Sequence, residues 1–140
     1  MSLFAALAIA GSGMAAESER LSAVASNIAN VNSVVTSSGD PYRAREVVFQ
    51  AASAGEEDTD EPAAVGMAGV KVAAVVESAA PLHTVYDPGS TFADANGYVT
   101  MPNVNPVEEM VNMISAQQDY QANLEAFNVA KSLALRTLQI

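Results

Sequence analysis

Few residues in this chain are equipped for chemistry. His83 is the single histidine. An imidazole acts as base or nucleophile only beside a carboxylate or hydroxyl in a pocket. No such group stands near it in sequence, so it reads as a loop or surface residue. The segment Phe92-Ala93-Asp94-Ala95-Asn96-Gly97 has the acid, amide and glycine spacing of part of a calcium loop. Its first ligand position is Phe92, however, and the bidentate glutamate position falls on Asn103. A turn held by Asp, Asn and Gly is the better reading. Glu56, Glu57, Asp58, Asp60 and Glu61 form a like-charge run, which repels itself and reads as a solvated loop, with weak cation binding as the lesser alternative. Glu108 and Glu109 are adjacent. On a helix they point in different directions and cannot form a catalytic carboxylate pair. There is no phosphate-cradling glycine motif, no G-x-S-x-G and no H-E-x-x-H. The chain lacks cysteine, which excludes disulfides, thiolate metal sites and cysteine nucleophiles. The reading is therefore of a non-enzyme with no catalytic, cofactor-binding or metal-binding residues.

The elements that would position functional residues fall into three zones, 1–32, 33–105 and 106–140. In the first, Leu7, Met14, Leu21 and Ile28 recur every seven residues, with Leu3, Ala10 and Val24 interleaved. This predicts an amphipathic helix from Ser2 to about Asn32. Glu17 breaks its stripe, and Gly11 and Gly13 weaken it by ~1 kcal/mol each relative to alanine. The run Asn27-Ile28-Ala29-Asn30-Val31-Asn32 fits a helix ending, since Asn tolerates a left-handed C-cap.

The third zone predicts a helix from Pro106 to about Leu138. Asn105 suits the N-cap, Pro106 the first turn and Glu108 the capping-box position. Met110, Met113, Ile114, Tyr120, Leu124, Phe127, Leu135 and Leu138 are expected to line one side. Between the helices, Tyr42–Phe49 and Val70–Val76 read as short strands, and Asp87-Pro88-Gly89 as a turn. The expected fold is α+β, with two long terminal helices pairing as a coiled coil around a small, irregular β-rich insert. Those fourteen apolar positions on the two helices are the candidate assembly interface. The same stripes are also compatible with the core of a self-contained two-helix domain.

Composition narrows the partners. The chain of 140 residues has a formal net charge of −10 and only six Lys and Arg. That disfavours nucleic acid, which needs basic patches, and anionic membrane surfaces. No run approaches the ~18 apolar residues of a membrane span. The segment Leu3–Ala10 is apolar, but no basic residue precedes Arg20, so the amino end is read as mature and not as a cleaved signal. Half the residues are hydrophobic, many of them Ala and Val, and there is no Trp. Such a core is thin, because alanine buries little area. An isolated amphipathic helix is marginal in water. The ends are expected to order fully only on neighbours.

Several segments resemble a known family. Ser26-Asn27-Ile28-Ala29-Asn30-Val31-Asn32-Ser33 resembles the amino-end signature of flagellar axial proteins. Gly97-Tyr98-Val99, Pro102-Asn103-Val104-Asn105, Glu108-Glu109-Met110-Val111 and Tyr120-Gln121-Ala122-Asn123 resemble the carboxyl end of flagellar proximal rod proteins of the FlgC family. Asn27, Asn30, Asn32, Gly97, Tyr98, Pro102, Asn103 and Asn105 carry that resemblance. Gln118 stands where an arginine is common, and the His-Pro pair often found before the Asp-rich turn is missing near Ser90. The resemblance implies a structural protein that polymerises through its terminal helices into the hollow rod spanning the periplasm. It implies export through the flagellar type III apparatus without a cleaved signal. Its partners would be further copies, other rod subunits and the hook-basal-body complex protein at the rod base.

Overall fold

A computed structural model describes residues 3–34, 39, 41–53 and 68–138. The acidic run Glu56–Glu61 lies outside them. Helix α1 spans Leu3–Ala29 and helix α2 spans Pro106–Leu138. Between them come strands β1 (Arg45–Ser53), β2 (Ala68–Glu77), β3 (His83–Tyr86) and β4 (Tyr98–Met101). They form two separate antiparallel ribbons, β1 with β2 and β3 with β4. This is the α+β arrangement of two terminal helices around a small strand insert.

Helix α2 begins as its sequence dictates. The Asn105 side chain accepts the Val107 N–H at 3.1 Å, and the Asn105 carbonyl accepts the Glu109 N–H at 3.0 Å. Pro106 sits where a missing N–H costs nothing. Helix α1 ends three residues earlier than expected and by a different device. The Asn30 N–H is shared between the carbonyls of Ser26 and Asn27, both at 3.1 Å, and the Val31 N–H donates to Ile28 at 3.3 Å. This is a tightened last turn. Among the described residues only Gly39 and Gly97 have positive φ, so no asparagine serves as a left-handed cap. The asparagine side chains are used elsewhere.

In the β1–β2 ribbon Arg45 pairs with Glu77 and Ser53 with Ala68, with a register shift between Val48 and Phe49. The β-branched and aromatic run Val47-Val48-Phe49 favours this conformation. The shorter β3–β4 pair, absent from the sequence-based expectation, matches His83 to Met101 and Tyr86 to Tyr98. Its connection is stiffened by side chains. Asp94 Oδ1 accepts the N–H groups of Asn96 (2.8 Å) and Tyr98 (2.9 Å), and Asp87 Oδ1 accepts that of Gly89 (3.2 Å). The segment that resembles a calcium loop is thus a turn whose acid is occupied by backbone donors. Gly97, at φ +82°, has no room for a side chain, because a Cβ would lie 2.9 Å from the Tyr86 ring.

The helices lie antiparallel. Asn27 meets Glu109 at one end, Arg20 meets Asp119 further along, and Gly13 packs on Asn123. At the far end Leu3 and Ala6 approach Val129 and Leu133. The other side of α1 rests on the β1–β2 ribbon, where Ser12 Oγ accepts the Val70 N–H at 3.0 Å and donates to the Ile9 carbonyl at 2.7 Å. The buried apolar residues of the helix pair are small: Ala5, Ala10, Ala16, Val24, Ala116 and Ala130.

Candidate assembly interface

Helix α2 turns one stripe toward α1. Glu109, Met113, Ala116, Tyr120, Asn123, Phe127, Ala130 and Ala134, each buried or half-buried, form it, spaced alternately by four and three residues, with Ser115 half-buried at its side. That spacing keeps one seam facing a partner helix. Only three of the apolar residues expected along one side, Met113, Tyr120 and Phe127, lie on this seam. Met110, Ile114, Leu124 and Leu135 are exposed on other faces. The reason is steric: the backbones approach closely where alanines and Gly13 meet, so the large side chains are displaced. The Leu138 side chain lies outside the described residues. On α1, Val24 is buried, and Leu3, Leu7, Met14, Leu21 and Ile28 are half-buried.

The most enclosed polar side chain on the seam is Asn27, 1% exposed. All four of its hydrogen-bonding valences are used. Its Oδ1 accepts the Tyr42 hydroxyl at 2.9 Å and the Arg45 N–H at 2.8 Å. Its Nδ2 donates to the Arg45 carbonyl and to Glu109 Oε2, both at 3.0 Å. One amide thereby joins α1, the start of β1 and the first turn of α2. The Arg45 guanidinium lies 5.8 Å from the Tyr42 ring centre, a weak cation–π contact.

Asn103 does the same for the insert. Its Oδ1 accepts the Ala44 N–H at 2.8 Å, and its Nδ2 donates to the carbonyls of Ser78 (3.3 Å) and Ala80 (3.0 Å). Arg43 donates to the same two carbonyls at 3.2 Å. Pro102 is fully buried beside it. Asn30 turns back to the Ser26 carbonyl at 2.8 Å. Asn32 is exposed. Tyr98 packs edge-on against Tyr86, ring centres 5.3 Å apart.

The charged residue that breaks the α1 stripe is also accounted for. Glu17 is buried, with Arg20 at 3.5 Å, and Arg20 reaches Asp119 of α2 at 3.6 Å. Burial raises the Glu17 pKa. Arg20 pulls it down in part and Asp119 pushes it up. His83 is exposed on β3. Among the described residues no group of three or more His, Asp or Glu could hold a metal, and no helix is long and apolar enough to cross a membrane.

The roles of Ser12, Gly13, Glu17, Tyr42 and Glu109 are not readable from the sequence. A polar residue inside an apolar stripe, as Asn27 and Glu17 are, is the signal that partners must exist.

These two asparagine clamps sit in segments shared with known proteins. Residues 7–35 match the family described as flagella basal body rod protein, and residues 95–140 match the flagellar basal body rod FlgEFG protein C-terminal family. The chain is 51% identical over 140 residues to the flagellar basal-body rod protein FlgC of Salmonella typhimurium, covering 100% of this chain and 98% of that protein. The chain belongs to the FlgC family. The FlgC of Yersinia enterocolitica is 48% identical over the same coverage, and that of Aquifex aeolicus 40% identical over 139 residues, 99% of this chain and 97% of the relative. FlgC proteins are structural components of the flagellar rod, not enzymes. Within this FlgC chain the matched terminal segments contain most of both helices, and Asn27, Asn103 and Glu109 fall inside them.

Proposed function

We propose that this chain is a proximal rod subunit that polymerises through its terminal helices into the hollow, torque-transmitting shaft of the basal body. The α1–α2 pair acts as a coiled coil within the subunit, and its outer faces are covered by neighbours. The supporting observation is the unequal use of apolar residues: small ones fill the seam, while Met110, Ile114, Leu124 and Leu135 stay exposed. Exposed apolar patches of this kind mark interaction surfaces. Leu3, Leu7, Met14, Leu21, Val24 and Ile28 of α1, with Met113, Tyr120, Phe127 and Leu138 of α2, complete the proposed assembly set. Partners are further copies, other rod subunits and the hook-basal-body complex protein at the rod base. The route is the flagellar type III apparatus, and the place is the rod across the periplasm. The test is complementation of a strain lacking its own FlgC. The native chain restores rods and motility together. Leu124→Asp abolishes both while the purified variant keeps its fold. Normal rods with Leu124→Asp and with Leu21→Asp would remove the basis of this reading.

A further inference from the structure

The β3–β4 connection carries the one asparagine of the chain that precedes a glycine, Asn96. That pairing is chemically vulnerable. A backbone nitrogen that follows asparagine can attack the side-chain carbonyl carbon, and glycine hinders this attack least because it has no side chain. At every other asparagine the following residue carries a side chain that crowds the nitrogen. Here the glycine is compulsory. Gly97 has φ +82°, and a Cβ on it would lie 2.9 Å from the Tyr86 ring. Asn96 itself is exposed, so water and base reach it freely.

The fold opposes the attack. The Gly97 N–H donates to the Asp94 carbonyl at 3.0 Å, which ties up the nitrogen that would have to react. With that bond, and with no positive φ at Ala95 or Asn96, residues 94–97 form a type I turn. The third residue of such a turn, here Asn96, has ψ of about 0°. Its own nitrogen then eclipses the Gly97 nitrogen, and its Cβ stands roughly 120° away about the Cα–C bond. Closing a ring through the side chain needs Cβ and the Gly97 nitrogen eclipsed instead. Asp94 locks the closed arrangement, since its Oδ1 accepts the N–H groups of Asn96 at 2.8 Å and Tyr98 at 2.9 Å.

We propose that Asn96 is a site of spontaneous deamidation, held closed by the Asp94 turn and released when that turn opens. In the open turn the Gly97 nitrogen bonds to Asn96 Cγ and gives up its proton. The Cγ–Nδ2 bond breaks, and the side-chain nitrogen leaves as ammonia. Water then opens the five-membered imide at either carbonyl, which leaves aspartate or isoaspartate at position 96. No oxidant or reductant takes part. Isoaspartate routes the main chain through Cβ and adds a carbon between residues 96 and 97. The register that pairs Tyr86 with Tyr98 is then lost, with the bond from the Asp87 N–H to the Gly97 carbonyl at 2.9 Å. The strand disturbed is the one that leads into Pro102 and Asn103.

The purified full chain tests this. It is held in mildly alkaline buffer, with and without strong urea. Peptide mass spectrometry follows each asparagine, and enzymatic methylation reports isoaspartate. In urea Asn96 is expected to react ahead of every other asparagine. In the folded chain its rate is expected to be lower by roughly tenfold or more, because opening the turn forfeits hydrogen bonds to a charged acceptor. Asp94→Ala, with its helices intact by circular dichroism, approaches the urea rate. Asp94→Asn keeps a side-chain carbonyl for both N–H groups and stays near the native rate. The comparison of buffer with urea stands whether or not Asp94→Ala folds. Equal rates at Asn96 in buffer and in urea would show that the turn gives no protection. An Asn96 that stays unmodified in urea would show that it is no such site. A folded Asp94→Ala as slow as the native chain would remove Asp94 from the account. Each of these overturns the inference, and none bears on the rod-subunit reading.

Discussion

The side-chain amide of Asn27 donates to Glu109 Oε2 at 3.0 Å across the helix pair, from a site that is 1% exposed. Two residues 82 positions apart thus fix the end of α1 to the start of α2. The same amide holds Tyr42 and both backbone groups of Arg45.

Replacing Asn27 with alanine therefore strands several buried partners at once. Each unsatisfied buried group costs about 1–3 kcal/mol. Water can reach Glu109 and Tyr42 in part, so the expected loss for Asn27→Ala is on the order of 3 kcal/mol. Urea unfolding of the purified chain measures it. Glu109→Gln keeps an acceptor for Asn27 and is expected to lose about 1 kcal/mol or less. Equal losses for the two variants would show that the amide is not a shared fixing point.

The two glycines of α1 are expected to respond in opposite directions. A Cβ on Gly11 meets nothing within 4 Å, whereas one on Gly13 lies 2.9 Å from Asn123 Nδ2. Gly11→Ala gains helix propensity, up to ~1 kcal/mol, and raises the melting temperature. Gly13→Leu forces the helices apart and loses about 1–3 kcal/mol, the usual cost of overpacking. Thermal unfolding of both variants followed by circular dichroism decides the point. A stabilised Gly13→Leu would contradict the close approach at Asn123.

How much of this is legible in the sequence depends on the range of the interactions. The start of α2 is readable because Asn105 and Pro106 act on their own helix turn. The turn at Asp94 is readable for the same reason, as its bonds reach only to Asn96 and Tyr98. The end of α1 falls within three residues of its expected place, but its asparagines serve tertiary bonds instead of a left-handed cap. The β3–β4 pair escapes sequence reading because each strand has only four residues, too few for a clear alternation. The seam on α2 differs from expectation because its large apolar residues do not all face α1. Gly13 and the alanines let the backbones approach, and Met110 and Ile114 stay outside. No local pattern announces Asn27 with Tyr42, 15 residues away, or with Glu109.

Glu17 makes stability depend on pH. Burial and Asp119 raise its pKa above the ordinary 4.5, against the pull of Arg20. The folded chain therefore keeps a proton that the unfolded chain has already released. Stability from this group is fully present below pH 4.5 and falls as pH rises through the elevated folded value, after which it is constant. Glu17→Gln cannot ionise and is expected to remove this fall, so the variant gains on the native chain as pH rises. Urea unfolding across the window from about pH 4 to 8 tests it. Parallel curves for the two proteins would show that Glu17 does not titrate with folding.

Neighbouring residues on α2 separate folding from assembly. Met113 is half-buried against α1, while Ile114, one position on, is exposed. An aspartate at 113 places a carboxylate in the half-buried seam in place of an apolar side chain, and burying a charge there is destabilising. Met113→Asp is expected to lose about 2–4 kcal/mol and to reduce helicity in the purified chain. Ile114→Asp meets solvent in the free subunit, so its stability should stay within about 0.5 kcal/mol of the native chain. In cells the order reverses in meaning. Ile114→Asp reaches its destination folded and fails to build rods, because a carboxylate now stands on the exposed apolar face of α2. Met113→Asp fails earlier, through loss of the fold. If Ile114→Asp supported normal motility, the exposed face of α2 would not be an assembly surface, however the seam behaved.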